Sequence, residues 1–187
     1  MIRVIAYEPA FGIIGDPAKR DPRNRQSADH SMVYIVGRML QKAVEVGDEL
    51  PKENDAAWKT LMLLPDDFSD AAIFDPATRT LMDKIDFEHG GDDYDSRYPD
   101  GIPTSMLIRM TGIGDFSSDL IMYPSGHARN TTADLQSILA TKFHRMGELA
   151  LEDQGPVIDR MNALASLDAD ALAGLWDFEI KDVGGFS

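Results

Sequence analysis

"GIPTSMLIRMTGIGDFSSDLIMYP", residues 101–124, decides the fold. Two runs, 101–112 and 114–124, are rich in apolar and β-branched residues and meet at "GIG". Apolar runs broken by glycine read as two strands of a hairpin. Near the start, "IRVIAY" (2–7) alternates and reads as a third short strand. Between these strands the pattern turns helical. Met32, Val33, Val36, Met39, Leu40 and Ala43 recur with the i, i+3/i+4 rhythm of a helix spanning about 29–45, with Asp29 as its N-cap and Gly47 as its stop. Short helices are expected around 55–64, 68–74 and 76–85, the last opened by Pro76.

Beyond the hairpin the chain is helical. In "YPSGHARNTTADLQ" (123–136), Thr131 and Asp134 form a T-x-x-D variant of the capping box, which places Asn130 or Thr131 at the cap. Leu135, Ile138, Leu139, Phe143 and Met146 then share one stripe, and two further helices follow. The expectation is an α+β domain with a short antiparallel sheet over 1–130, followed by a helical segment over 131–187.

Composition narrows the function. The 187 residues suffice for one ordinary domain, and 43 % are apolar, so the chain is globular. Net charge is −14, which argues against a nucleic-acid partner and against long-range steering of anions. Eleven acids lie between 66 and 100 and read as a solvated face. "DDYDSRYPDG" lacks the ligand spacing of a calcium loop. No run approaches the ~20 apolar residues of a membrane helix, and the amino terminus lacks signal-peptide features. Cysteine is absent, so neither a disulfide nor a cysteine-held cluster forms, and a cytoplasmic address is expected. The four histidines (30, 89, 127 and 144) show no metal-ligand spacing, so no metal is expected.

Two cationic loops stand out against this acidic background. On the turn at 123–130, His127 and Arg129 precede a helix start. Arg129 offers a planar fork suited to a carboxylate, and His127 adds an imidazole, a type of group that can titrate near neutrality. The plainer alternative is that Gly126 makes the turn, His127 packs and Arg129 pairs with a surface acid. The second loop carries Lys19, Arg20, Arg23 and Arg25 ahead of Asp29, His30 and Ser31. Tyr34 follows His30 at i+4. That spacing puts both on one helical face as an acid/base pair, with a core tyrosine and a capped histidine as the alternative.

At "RQSADHSMVYIVGRML", "YPDGIPTS" and "YPSGHARNTTADLQSILATKF" the chain resembles the MmgE/PrpD family. That family includes 2-methylcitrate dehydratase, cis-aconitate decarboxylase and iminodisuccinate epimerase. The resemblance covers the C-terminal portion of longer family members. It implies a small α+β lid domain whose terminal helices return to a helical domain not present here. It further implies a cofactor-free hydro-lyase of propionate catabolism acting on small di- and tricarboxylates. Tyr34 and His30 would be catalytic, and Arg25, His127 and Arg129 would bind substrate. A partner chain or the helical domain would complete the site, and the assembly would be a homodimer. A related decarboxylation or epimerisation, or a non-catalytic module that binds a partner or dimerises, are the alternatives.

Overall fold

The computed structural model describes residues 1–182 and 184. The chain divides into two compact units, Met1–Ala133 and a second beginning at Asp134. In the first, chain order is β1 (Ile2–Ala6), α1 (Glu8–Ile14), α2 (Arg25–Ala28), α3 (Met32–Val46), α4 (Asn54–Leu61), α5 (Asp70–Ile73), α6 (Pro76–Met82), β2 (Ile85–His89), α7 (Asp92–Asp95), β3 (Thr104–Met110) and β4 (Gly114–Ser117). The second unit holds α8 (Leu135–Ala150), α9 (Gly155–Asn162) and α10 (Ala169–Ala173). The fold is α+β, as the alternating and helical patterns led us to expect.

The four strands form one sheet in the order β2-β1-β3-β4. β3 and β4 are the hairpin read from 101–124, paired from Leu107↔Ser117 to Met110↔Gly114. The second strand ends sooner than its sequence suggested. Asp119 takes a positive φ of 51°, and pairing resumes only as the isolated bridge Thr104↔Ile121. β1 lies at the centre, antiparallel to β3 and parallel to β2. The sheet is therefore mixed rather than wholly antiparallel. β2 was not expected as a strand: the helix read over 76–85 takes in only its first residue, Ile85. In "IDFEH", Ile85 and Phe87 point into the core while Asp86 stays exposed, and that acid density conceals the two-residue period.

One sheet face carries Ile2, Val4, Ala6, Ile85 and Phe87, all buried, against Val33, Tyr34 and Val36 of α3. This alternation along β1 and β2 places every second side chain in the core. Gly37 lets α3 approach α6 closely. A Cβ there would lie 2.8 Å from Met82 Cγ and 3.5 Å from the Thr78 carbonyl oxygen.

α3 starts later than expected. Asn24 caps α2, exchanging bonds reciprocally with Ser27. Ser31, not Asp29, caps α3: its Oγ accepts from the Tyr34 N–H at 3.2 Å and donates to the Lys19 carbonyl at 2.6 Å. In the second unit α8 begins at Leu135, capped by Asp134, whose Oδ1 accepts from the Ser137 N–H at 3.0 Å. The expected cap at Thr131 or Asn130 is thus corrected to the acid three residues beyond Thr131. Arg160 Nη1 donates to the carbonyls of Gly174, Leu175 and Asp177, tying α9 to the chain that follows α10. Among the described residues no helix is long and apolar enough to cross a membrane.

Candidate carboxylate-binding site

The motifs "YPDG" (98–101) and "YPSGHARN" (123–130) are brought side by side where the β3–β4 hairpin opens. The Ile102 N–H donates to the Met122 carbonyl at 3.0 Å, and Thr104 and Ile121 exchange bonds at 3.0 and 2.8 Å. Gly101 is required by this approach, since a Cβ there would lie 2.7 Å from the Met122 oxygen. Tyr98, which precedes a cis proline, stacks on Tyr7 with ring centroids 4.8 Å apart.

This pairing sets Asp100 opposite Tyr123 and Arg129. The Tyr123 hydroxyl donates to Asp100 Oδ2 at 2.9 Å. Arg129 Nη1 donates to the Asp100 main-chain carbonyl at 3.0 Å and forms an ion pair with its Oδ1. The bond from Arg129, then that from Tyr123, hold the Asp100 carboxyl below its ordinary value. Its bond with Asp100, and then its interaction with Tyr123, raise the Arg129 guanidinium. The His127 ring rests against Tyr123 at 5.0 Å. Its Nδ1 accepts the Arg129 N–H at 3.1 Å, which assigns the proton of the neutral ring to Nε2. Asn130 closes the turn: its Nδ2 donates to the Tyr123 carbonyl at 2.6 Å, and its Oδ1 accepts from Thr132 and Ala133. The result is a loop holding a carboxylate between a guanidinium and a phenol, with an imidazole alongside.

The other expected residues are placed differently. Tyr34 was expected to share a helical face with His30 near a cleft. It is instead fully buried, and its hydroxyl donates to the main-chain carbonyl of Asp67. Burial, ahead of every neighbouring charge, pushes its phenol up to about 12. A sealed phenol that spends its proton on a backbone acceptor offers nothing to a substrate. Tyr34 is a core residue of this fold, and its catalytic assignment gives way to a structural one. His30 lies in the turn before α3, outside the helix, so i+4 spacing confers no shared face. It is exposed, with Nδ1 facing Asp29 Oδ1 and the Gln26 carbonyl at 3.2 Å. Arg25 is exposed at the start of α2.

The rest of that cationic loop is turned to acceptors in the chain itself. Lys19 donates to the Ile13 carbonyl and Arg23 Nε to Asp21 at 2.8 Å, while Arg79 bridges Asp21 and the Pro22 carbonyl at 2.6 and 2.5 Å. The sequence alone does not single out Asp100 or Tyr123. Asp100 was counted with the solvated acids, although its place in "YPDG" was the available signal. A recess of about 370 Å³ between α3 and α4 is lined by Met39, Ala57, Trp58, Leu61 and Met62, and suits an apolar group rather than a carboxylate. Among the described residues no three His, Cys, Asp or Glu side chains converge to hold a metal ion. No protein-family model matches the chain, and no curated protein matches it.

Proposed function

We propose that this chain is the lid-type, C-terminal part of a 2-methylcitrate dehydratase-like lyase of the MmgE/PrpD type, acting in the cytoplasm on small di- or tricarboxylates. One observation carries the reading: two of the three resembling motifs meet, and the carboxylate of one, Asp100, is bonded by the arginine and tyrosine of the other. Arg129 and Tyr123 supply donors of the kind that fix a carboxylate. In the proposed reaction a base removes a proton next to a substrate carboxylate, and a hydroxyl leaves as water. Arg129 holds that carboxylate and stabilises the charge that develops next to it. His127 Nε2–H donates a hydrogen bond to the departing hydroxyl, and an acid of the completing domain supplies the proton with which it leaves as water. No cofactor is called for. The base and the walls that exclude water come from a helical domain or a partner chain, within a homodimer. Arg25 and His30 remain on the exposed surface as further substrate contacts of that assembled site. Tyr34 has no chemical role in it.

A second reading, a non-catalytic partner-binding module, draws support from the second unit, where Phe143, Trp176 and Ile180 are about 70 % exposed (67, 71 and 69 %). The test is turnover of 2-methylcitrate by the chain alone and with an added helical domain. The lyase reading expects no turnover alone, because proximity effects worth ~7–11 kcal/mol need the whole site. It expects turnover on addition, lost in Arg129→Gln and His127→Gln. Carbon dioxide release or epimerised product would move the assignment to a related reaction. Failure with every added domain would favour the binding module.

A further inference from the structure

Asp100 sits where an incoming carboxylate would sit. Its Oδ1 pairs with Arg129 Nη1, its Oδ2 takes the Tyr123 hydroxyl, and its main-chain carbonyl takes a second bond from the same Nη1. The carboxylate side chain is 64 % exposed and the guanidinium 59 %, so the pair meets water and dissolved anions directly. An exposed pair of this kind is weak, contributing ~0–1 kcal/mol, and a free carboxylate can exchange into it. Asp100 nonetheless has an advantage over any free anion. It is tethered to the site through the Gly101 contact and the Ile102–Met122 bond, which makes its effective concentration millimolar or higher. Its charge also repels any second anion that approaches the same fork.

We propose that Asp100 is a built-in competitor for the carboxylate site, an intramolecular occupant that a substrate must displace from Arg129. The inference rests on the carboxylate-binding reading above and adds to it the residue that sets the affinity threshold. A ligand with a single weakly held carboxylate loses to Asp100. A di- or tricarboxylate that also engages His127 or the completing domain can win. Asp100 thereby selects for multiply anchored acids and keeps the fork closed in their absence.

The experiment is calorimetric titration of the full chain with citrate as the probe, together with backbone amide shifts at 123–130. Asp100→Asn preserves shape and an acceptor for Tyr123 while removing the charge. It should bind citrate about fivefold or more tightly than the parent, the gain expected from removing an exposed ion pair and one repelling charge. Arg129→Gln should abolish binding in either background. Asp100→Ser also removes the charge while leaving Arg129 and Tyr123 in place, and should shift affinity in the same direction, which secures the test if Asp100→Asn misfolds. If Asp100→Asn binds citrate equally or more weakly while Arg129→Gln still abolishes binding, Asp100 positions Arg129 instead of competing. That outcome overturns this inference and leaves the carboxylate site standing. If citrate at millimolar concentration shifts no amide at 123–130 in any of the chains, the carboxylate site itself falls, and this inference with it.

Discussion

The Tyr34 hydroxyl and the Asp67 carbonyl are joined inside the first unit, helix α3 to the turn that precedes α5. The Asp67 carboxylate, on the same residue, is held by Arg38 Nε at 3.0 Å, Lys42 Nζ at 2.9 Å and the Leu64 N–H at 2.8 Å. One face of α3 thus contributes a phenol, a guanidinium and an ammonium to a single buried residue. That cluster is structural, and its consequences are measurable as stability.

Tyr34→Phe removes the donor and leaves the Asp67 carbonyl unpaired in the core. The expected cost is ~1–3 kcal/mol, seen as a lower urea midpoint with an unchanged slope. Any change in a reconstituted activity should follow that loss and disappear at lower temperature. A variant as stable as its parent would show that the hydroxyl is not engaged.

Alkaline pH should act through the same group. Its folded value, about 12, lies above the ordinary phenol value of 10.0, so the neutral form is favoured by folding. The stabilisation is complete below pH 10 and is lost as pH rises from 10 towards 12. Tyr34→Phe should show a flatter stability profile across that window.

Asp67 works in the opposite direction. Burial raises its carboxyl, but the Leu64 N–H, Lys42 and Arg38 together outweigh burial and hold it below its ordinary value. Stability from this group is present above the unfolded carboxyl value and is lost as pH falls through the folded one. Asp67→Asn leaves Lys42 without its counter-charge and Arg38 with only the more distant Glu45, at 3.6 Å, although both cations are more than four-fifths buried. The expected loss is ~3–5 kcal/mol by denaturant unfolding, with reduced acid sensitivity.

Asp134→Ala should cost ~1 kcal/mol and reduce helical signal from α8, because Asp134 is the cap. Thr131→Ala should change thermal unfolding by no more than ~0.5 kcal/mol. The reverse ranking would restore the cap to Thr131.

The exposed side chains of the second unit lead to a concentration effect. Leu139 and Phe143 lie one turn apart on α8 and are both exposed. Light scattering at tens of micromolar should show self-association, weakened by Phe143→Asp. A monomer across that range would count against a homodimer.

Much of this arrangement was legible from residue spacing. β1 could be read because alternation survives where one face of a strand is buried, the β3–β4 hairpin because glycines break its two apolar runs, and the α3 stripe because its apolar positions recur every third or fourth residue. β2 escaped because only Ile85 and Phe87 mark its buried face, amid acids on both sides. His30 and Tyr34 were misjudged together. The i+4 rule applies only when both residues are helical, and the Asn24 and Ser31 caps break the chain into two helices between them. At the candidate site His127 and Arg129 were legible from charge in an acidic chain. Asp100 was not, since its partner lies in another segment and only the fold reveals which acid an arginine meets. The same holds for Asp67, one of eleven acids in its stretch and the one that the core takes in.

The central position of β1 bears on how the chain reaches its native state. β1 precedes both of its neighbours in the chain: the parallel one ends at His89 and the antiparallel one begins at Thr104. No local hairpin can satisfy its backbone groups early, so during synthesis it waits, half-paired at best, until both distant strands have emerged. Closure of two long loops, not helix formation, should set the pace of refolding and place the first unit among slow, high-contact-order folders. A nick or deletion that removes residues 2–6 would take the middle strand from the sheet and leave β2 with no strand to join.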